Sequence, residues 1–216
     1  MMTIKNLLIL AGFILAVLTT PCQALAQEPP DVLVKRITQE VMQTAKTDQG
    51  IKAGNRQRIL EVIETKILPH LDFQRATAIT VGRHWREATP QQQQQLIDEF
   101  RALMIHTYAG AMSQVGDQKL EFKPLRTDPA DTEVEMHFQV RLPRGGEPVQ
   151  VSYRLHKSPQ GWKVYDVNVL GAWLSETYKN SFSEEIGKGG IDGLIRALSE
   201  KNRKLAAQRN GKAGAS

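Results

Sequence analysis

Asp166 and Tyr165 are the two residues whose types and spacing come nearest to those of a catalytic pair. They are neighbours in the segment 162–169, whose alternating pattern predicts a β-strand with Asp166 on the same side as Trp162 and Val164. A half-buried carboxylate beside a phenol can act as a general base. A carboxylate in such a position also commonly serves as a hub of structural hydrogen bonds. Both interpretations stay open at this stage.

The other residues that could do chemistry are scattered along the chain. The five histidines are His70, His84, His106, His137 and His156. No two of them have the H-E-x-x-H spacing of a helical zinc site, and the sequence has neither a G-x-S-x-G elbow nor a phosphate-binding glycine loop. We therefore predict no catalytic residue, no metal site and no cofactor, and we do not expect an enzyme.

The first 26 residues have the features of a secretory signal peptide. Lys5 precedes an apolar stretch at 7–18, and Ala24 and Ala26 fit the small-x-small cleavage rule. The stretch is short for a membrane span, which needs about 20 residues, although an uncleaved anchor is the alternative. Cleavage would start the mature chain at Gln27 and remove the single cysteine, so the mature protein would owe nothing to disulfides.

Charge is concentrated at the C-terminal end. The chain carries a formal charge of +5, and residues 201–216 include several basic residues and no acidic one, so the preceding body is close to neutral. A nucleic-acid-binding protein should carry a basic patch on its folded body, so we expect no nucleic-acid partner. We predict that residues 205–216 form a basic, disordered tail, with contact to anionic lipid head groups as the alternative. The mean hydropathy of −0.36 excludes a polytopic membrane protein.

The apolar periodicity divides the mature chain into helices, then strands, then helices. Spacings of three to four residues predict helices that begin after the N-caps Asp31, Asn55, Asp72 and Thr89. From 120 to 169 the period is two, which predicts four strands, and helical spacing returns after Gly171. We therefore predict one domain at 27–204 with an α+β fold, in which N- and C-terminal helices pack on a curved four-stranded antiparallel sheet.

Several segments, in order along most of the mature chain, resemble those of the MlaC family, also called toluene-tolerance auxiliary proteins. The matching segments are 71–73, 81–86, 100–101, 107–109, 161–167, 171, 178–179, 182 and 190–195. Two positions depart from the pattern. Trp173 stands where the family tends to have a small polar residue, and it could narrow a pocket mouth. Lys179 stands where the family favours arginine.

The resemblance implies a periplasmic carrier whose cargo is phospholipid and whose fold is nuclear-transport-factor-like with extra helices. It also implies two partners: an outer-membrane lipoprotein–porin complex and an inner-membrane ABC transporter with an MCE-domain subunit. Shuttling of lipid between these partners would maintain outer-membrane lipid asymmetry, and the carrier is expected to be a monomer. Some relatives are assigned to hopanoid traffic, so a hopanoid or another apolar lipid is the alternative cargo.

A carrier needs a hollow apolar interior. A diacyl lipid has about 30 chain carbons, each worth about 0.8 kcal/mol when removed from water, so exposed chains would cost on the order of 20 kcal/mol. Alternation alone favours a filled core, and the resemblance favours a cavity wall. The predicted lipid contacts are Phe100, Met104, Tyr108, Phe138, Val140, Val151, Tyr153, Val164, Val169 and Leu174.

The head group is expected to be bound weakly, because the body lacks a tight cluster of basic residues. Arg83, Arg86 and Lys179 are candidates for polar contacts at a pocket mouth, with plain surface charge as the alternative. Two other functions remain open on sequence grounds. One is an exported enzyme that uses Asp166 and Tyr165, and the other is an interaction module with a solid sheet.

Overall fold

The computed structural model describes residues 27–128, 130–143 and 145–213. The predicted signal peptide therefore lies outside the described residues. Within the described residues, five α-helices precede the sheet: α1 (Pro30–Thr47), α2 (Gln49–Lys52), α3 (Arg56–Val62), α4 (Phe73–Val81) and α5 (Pro90–Tyr108). A π-helix (Ile63–Ile67) and 3₁₀ turns (Leu68–His70, Gly82–Arg86, Ala109–Gln114) connect or extend them. Within the described ranges no helix is long and apolar enough to cross a bilayer.

Side-chain caps explain where three of these helices begin. Asn55 accepts a hydrogen bond from the third residue of α3, and Asp72 does the same for α4, over 3.1 and 2.8 Å. The predicted N-cap Thr89 forms a capping box with Gln92 at the start of α5. The prediction that Asp31 is the N-cap of α1 was wrong: the helix begins at Pro30, with Pro29 as the N-cap residue and no side-chain cap. Proline suits the first helical position, because the N–H group that it lacks would have no partner there.

The sheet is an antiparallel meander in the order β1-β2-β3-β4-β5. Its strands are β1 (Lys119–Phe122), β2 (Glu133–Arg141), β3 (Val149–Ser158), β4 (Gly161–Val169) and β5 (Ala172–Trp173). The predicted α+β class is confirmed, but the predicted count of four strands was wrong. Leu170 and Gly171 adopt positive φ angles of 54° and 87°, which reverses the chain at once. Two residues then pair back onto β4, too few to show an alternating pattern.

A β-bulge interrupts the pairing of β3 with β4. Arg154 lies opposite Asp166 and Leu155 lies opposite Val164, so Tyr165 is an extra residue in β4. Adjacent residues of β3 point to opposite faces, and their partners on β4 do the same. The prediction that Asp166 shares a face with Val164 was therefore wrong, because the bulge shifts the alternation by one residue.

The C-terminal helix α6 (Leu174–Ala213) consists of two limbs. Gly189 and Gly190 have non-helical dihedral angles, and Gly190 has a φ of 64° that glycine adopts without strain. The second limb folds back onto the first, since a side chain at Gly193 would lie 3.2 Å from the carbonyl oxygen of Glu185. Leu205 packs against the apolar cluster beneath the second limb. The division of the chain at residue 204 stays a prediction.

Three apolar clusters hold these elements together. The first joins the C-terminal half of α1 to α2, α3, the π-helix and the 3₁₀ turn Ala109–Gln114. The second joins α4, α5 and both limbs of α6, and the third packs the start of α1 on the sheet. The three clusters share no buried side chain, so the region where they meet can contain unfilled space.

Candidate functional site

A partly open cavity of about 330 Å³ lies where the three apolar clusters meet. Its helical wall comes from the π-helix, the segment 71–76, the second half of α5 and the 3₁₀ turn that follows it. Residues 164–167 of β4 and the first two residues of α6 form the opposite wall. The volume falls within the range of about 300–1,000 Å³ that is usual for ligand pockets.

The wall presents hydrocarbon almost exclusively. Most of the lining side chains are aliphatic, methionine or phenylalanine, and the polar ones are turned to protein partners. Thr80 donates its hydroxyl hydrogen to the carbonyl oxygen of Ala76 over 2.7 Å. Asp166 and Ser175 bond to each other. Such a wall favours an apolar ligand over a polar one, because a polar group that enters it loses hydrogen bonds to water.

Five of the ten predicted lipid contacts lie on this cavity, namely Phe100, Met104, Tyr108, Val164 and Leu174. Tyr108 is 47% exposed, so it also forms part of the rim. Burial raises the pKa of the neighbouring Tyr178 to about 12, and its ring packs edge-on against Phe100. The tyrosine hydroxyl beside the rim is therefore uncharged at neutral pH.

The other five predicted contacts lie elsewhere on the sheet. Phe138 is buried between Phe122 and Tyr153, with ring centroids 5.1 and 5.0 Å apart. Val151 lies opposite Val169, near the end of the sheet where Val169 is 40% exposed. Val140, in turn, pairs with the first residue of β3. The cavity reaches β4 only as far as Val167, so these five side chains fall beyond it.

Sequence reasoning missed the cavity residues on the π-helix and on the 3₁₀ turn after α5. Ile63 and Ile67 are four residues apart, and Met112 follows Tyr108 at the same interval, which is the spacing of one helix face. Nothing in their spacing separates a cavity wall from a core contact, because both need the same apolar side chains. The available signal was the length of the apolar stretch, which runs through Ile67 although α3 itself ends at Val62.

Asp166 and Tyr165 have separate partners. Asp166 is 5% exposed, and its two oxygens accept hydrogen bonds from the backbone and the hydroxyl of Ser175, over 3.1 and 2.6 Å. Tyr165 donates its hydroxyl hydrogen to Glu133, and the guanidinium of Arg75 lies over its ring. Burial, with this bond to Glu133, raises the pKa of Tyr165. The arrangement is that of a structural hub at Asp166, and it offers no free general base.

The three basic residues that were predicted to contact the head group at a pocket mouth are exposed, and none of them lines the cavity. Arg83 and Arg86 belong to the 3₁₀ turn Gly82–Arg86, and Lys179 passes close to Gly82. Trp173 does not line the cavity either, since its ring lies 3.7 Å beneath the guanidinium of Arg154. Among residues 27–128, 130–143 and 145–213, no group of histidine and acidic side chains has a geometry that could hold a metal ion.

Comparison with known proteins gives consistent matches. The MlaC protein family model matches residues 35–200 of the chain. The chain is 20% identical to the intermembrane phospholipid transport system binding protein MlaC of Haemophilus influenzae, over 91% of this chain and 93% of that protein. It is 21% identical to the toluene tolerance protein ttg2D of Pseudomonas putida, over 84% of each chain.

A solved structure is similar over most of its length. It is a phospholipid-binding protein from Ralstonia solanacearum in complex with a phospholipid, at a resolution of 1.53 Å. The sequence identity is 47% and the TM-score is 0.75, and the match covers 81% of this chain and 97% of that chain.

Proposed function

Because the chain belongs to the MlaC protein family, we propose that it binds phospholipid in the apolar cavity and carries it across the periplasm. The observation that carries the proposal is the cavity of about 330 Å³ with its hydrocarbon wall. A similar protein of known structure, 47% identical, is a phospholipid complex. The proposal also takes residues 1–26 as a cleaved signal peptide and residues 205–216 as a basic tail.

The cavity accounts for solubilisation of one chain in the conformation described. A cavity of about 150 Å³ holds one benzene molecule, with its six carbons. On that scale a cavity of about 330 Å³ has room for on the order of one acyl chain. The second chain of a diacyl lipid requires the walls to separate further or the rim to cover it. Tyr108, exposed at the rim, offers an aromatic surface for that purpose.

Transfer between membranes follows from the same physics. Hydrocarbon has similar free energies in a bilayer and in a dry apolar cavity, so net transfer is close to neutral. We propose that direction comes from two partners, an inner-membrane ABC transporter with an MCE-domain subunit and an outer-membrane lipoprotein–porin complex. Shuttling between them would maintain lipid asymmetry of the outer membrane. We also propose that the fold is nuclear-transport-factor-like and that the carrier is a monomer.

The experiment is native mass spectrometry of the purified protein. We expect mass additions that match phospholipids and that disappear after delipidation. Phosphatidylglycerol or phosphatidylethanolamine vesicles should then restore them. A protein that is empty on purification and takes up neither lipid would refute the proposal. A hopanoid mass in place of a phospholipid mass would identify the alternative cargo while leaving the cavity as the binding site.

A further inference from the structure

We infer that Asp166 is a positioning residue that holds the cavity closed where β4 meets α6, and that it thereby sets the rate at which lipid leaves. The inference rests on the proposed function. The β4–α6 joint consists of Asp166, Ser175, Arg154 and Trp173. Asp166 and Ser175 are both part of the cavity wall. Leu174, which precedes Ser175 in the chain, lines the cavity as well.

The start of α6 depends on the sheet for its cap. Trp173 precedes the helix, and an indole has no acceptor that could cap it. Asp166 supplies the missing acceptor from β4: one oxygen accepts from the backbone N–H of Ser175 and the other from its hydroxyl. A carboxylate at a helix N-terminus is also favoured by the helix dipole. The start of α6 is therefore joined to the sheet by two hydrogen bonds to Asp166, and no residue of α6 supplies either acceptor.

The joint is closed from the solvent side by two further groups. The Nη1 atom of Arg154 lies 3.6 Å from the second oxygen of Asp166. The guanidinium of Arg154 stacks 3.7 Å from the ring centre of Trp173, next to Leu174 in the chain. The carboxylate is thus buried with its charge compensated, which is the condition under which a buried ion is tolerated.

A buried polar joint in an apolar wall calls for an explanation, because apolar residues of the same size would be comparably stable. What a hydrogen-bonded joint adds is a defined distance between the two walls. Val164 and Val167 lie on the sheet side of the joint, and Leu174 lies on the helix side. When the bonds between Asp166 and Ser175 break, Leu174 can move away from β4 and the cavity widens.

The test measures release of a pyrene-labelled phosphatidylglycerol from loaded full-length protein to an excess of phosphatidylcholine vesicles. Ser175→Ala removes the hydroxyl and keeps the backbone cap, and Asp166→Asn removes the charge that Arg154 compensates. We expect release to be roughly tenfold faster in Ser175→Ala and faster still in Asp166→Asn, because a lost charged hydrogen bond shifts an opening equilibrium by about that factor or more.

Asn202→Ala is the matched control. Asn202 is also a buried polar side chain, it joins α6 to the carbonyl and carboxylate of Glu99, and neither residue lines the cavity. We expect this variant to lose stability and to release lipid at the wild-type rate. If Asp166→Asn does not fold, Ser175→Ala still tests the inference, because this substitution removes only one oxygen atom.

Two outcomes overturn the inference in distinguishable ways. If the wild-type protein takes up lipid and Ser175→Ala releases it no faster than Asn202→Ala does, the joint is structural only and the proposed function stands. If the wild-type protein takes up no lipid, the proposed function fails and this inference fails with it.

Discussion

The hydroxyl of Tyr165 donates a 3.0 Å hydrogen bond to Oε2 of Glu133, two strands away. Its neighbour in the chain, Asp166, bonds instead to Ser175. Two groups that could have formed an acid–base pair are thus committed to different partners. Asp166 and Tyr165 therefore do not bond to each other, and both lie in the cavity wall.

Filling the cavity should abolish lipid binding. Ala76 lies on the cavity side of α4, and Ala76→Trp would place an indole in the space that an acyl chain needs. Each methylene excluded costs about 0.8 kcal/mol, so loss of only two weakens binding on the order of tenfold. Native mass spectrometry after reloading with phosphatidylglycerol should show an almost empty protein. Gln74→Trp, at an exposed position of the same helix, should load normally.

Changes at Phe138 should affect stability and leave lipid binding intact. Phe138 is buried on the sheet between Phe122 and Tyr153 and lies off the cavity. Phe138→Ala should lower the free energy of unfolding by about 3–5 kcal/mol, as for other large-to-small core substitutions. The lipid content per folded molecule should stay at the wild-type level in urea-free buffer. A folded variant that has lost its lipid would place Phe138 in the binding site.

Leu170 should be replaceable with a gain in stability. Its φ of 54° is left-handed, and the side chain is 70% exposed, so it has little packing to lose. The left-handed conformation costs a branched residue roughly 1–2 kcal/mol, and asparagine tolerates it better. Leu170→Asn should raise the free energy of unfolding by about 1 kcal/mol in urea titrations. Ala172→Asn serves as the control, because its conformation is that of a strand.

Acid should weaken the attachment of α4 to the sheet. The hydrogen bond from Arg75 holds the pKa of Glu133 below its usual value of 4.5. A carboxyl with a lowered folded-state pKa contributes stability above its unfolded pKa and loses it as the pH falls through the folded value. Stability should therefore decrease below about pH 4.5. Because Glu133 is about half exposed, its share should stay under about 1 kcal/mol.

Arg75→Gln tests this pH dependence. The variant removes the ion pair, so its stability should be lower than that of the wild type at pH 7 and nearly equal to it at pH 3. Urea unfolding at both values measures the difference. An equal difference at the two values would show that Arg75 acts through its packing on Tyr165 and not through Glu133.

The sequence was sufficient for the order of elements and for most helix starts. Caps such as Asn55 and the box formed by Thr89 and Gln92 act within four residues, so local spacing reveals them. The bulge at Tyr165 was also visible indirectly, since β4 had apolar residues on both faces. The sequence did not show to which face of the sheet the bulge turns the Asp166 side chain, because the pairing with β3 decides which residue of β4 is the extra one.

The cavity was only half predictable. Phe100 and Met104 of α5 were predicted as lipid contacts, and both line the cavity. The sequence could not show that the other predicted sheet residues lie outside the cavity. The alternating pattern of a strand is the same whether a helix packs closely on it or leaves a gap. The joint between Asp166 and Ser175 spans the turn at Leu170, and neither residue type predicts the other.

The extra residue at Tyr165 also decides what kind of surface the cargo meets. In an uninterrupted ladder, Asp166 and Asn168 would follow Val164 on the same side of β4. The extra residue places Val167 after Val164 on that side instead, and Val167 lines the cavity. One extra residue in the strand thus extends the apolar side of β4 beyond Val164, and a strand without it would carry polar side chains on that side.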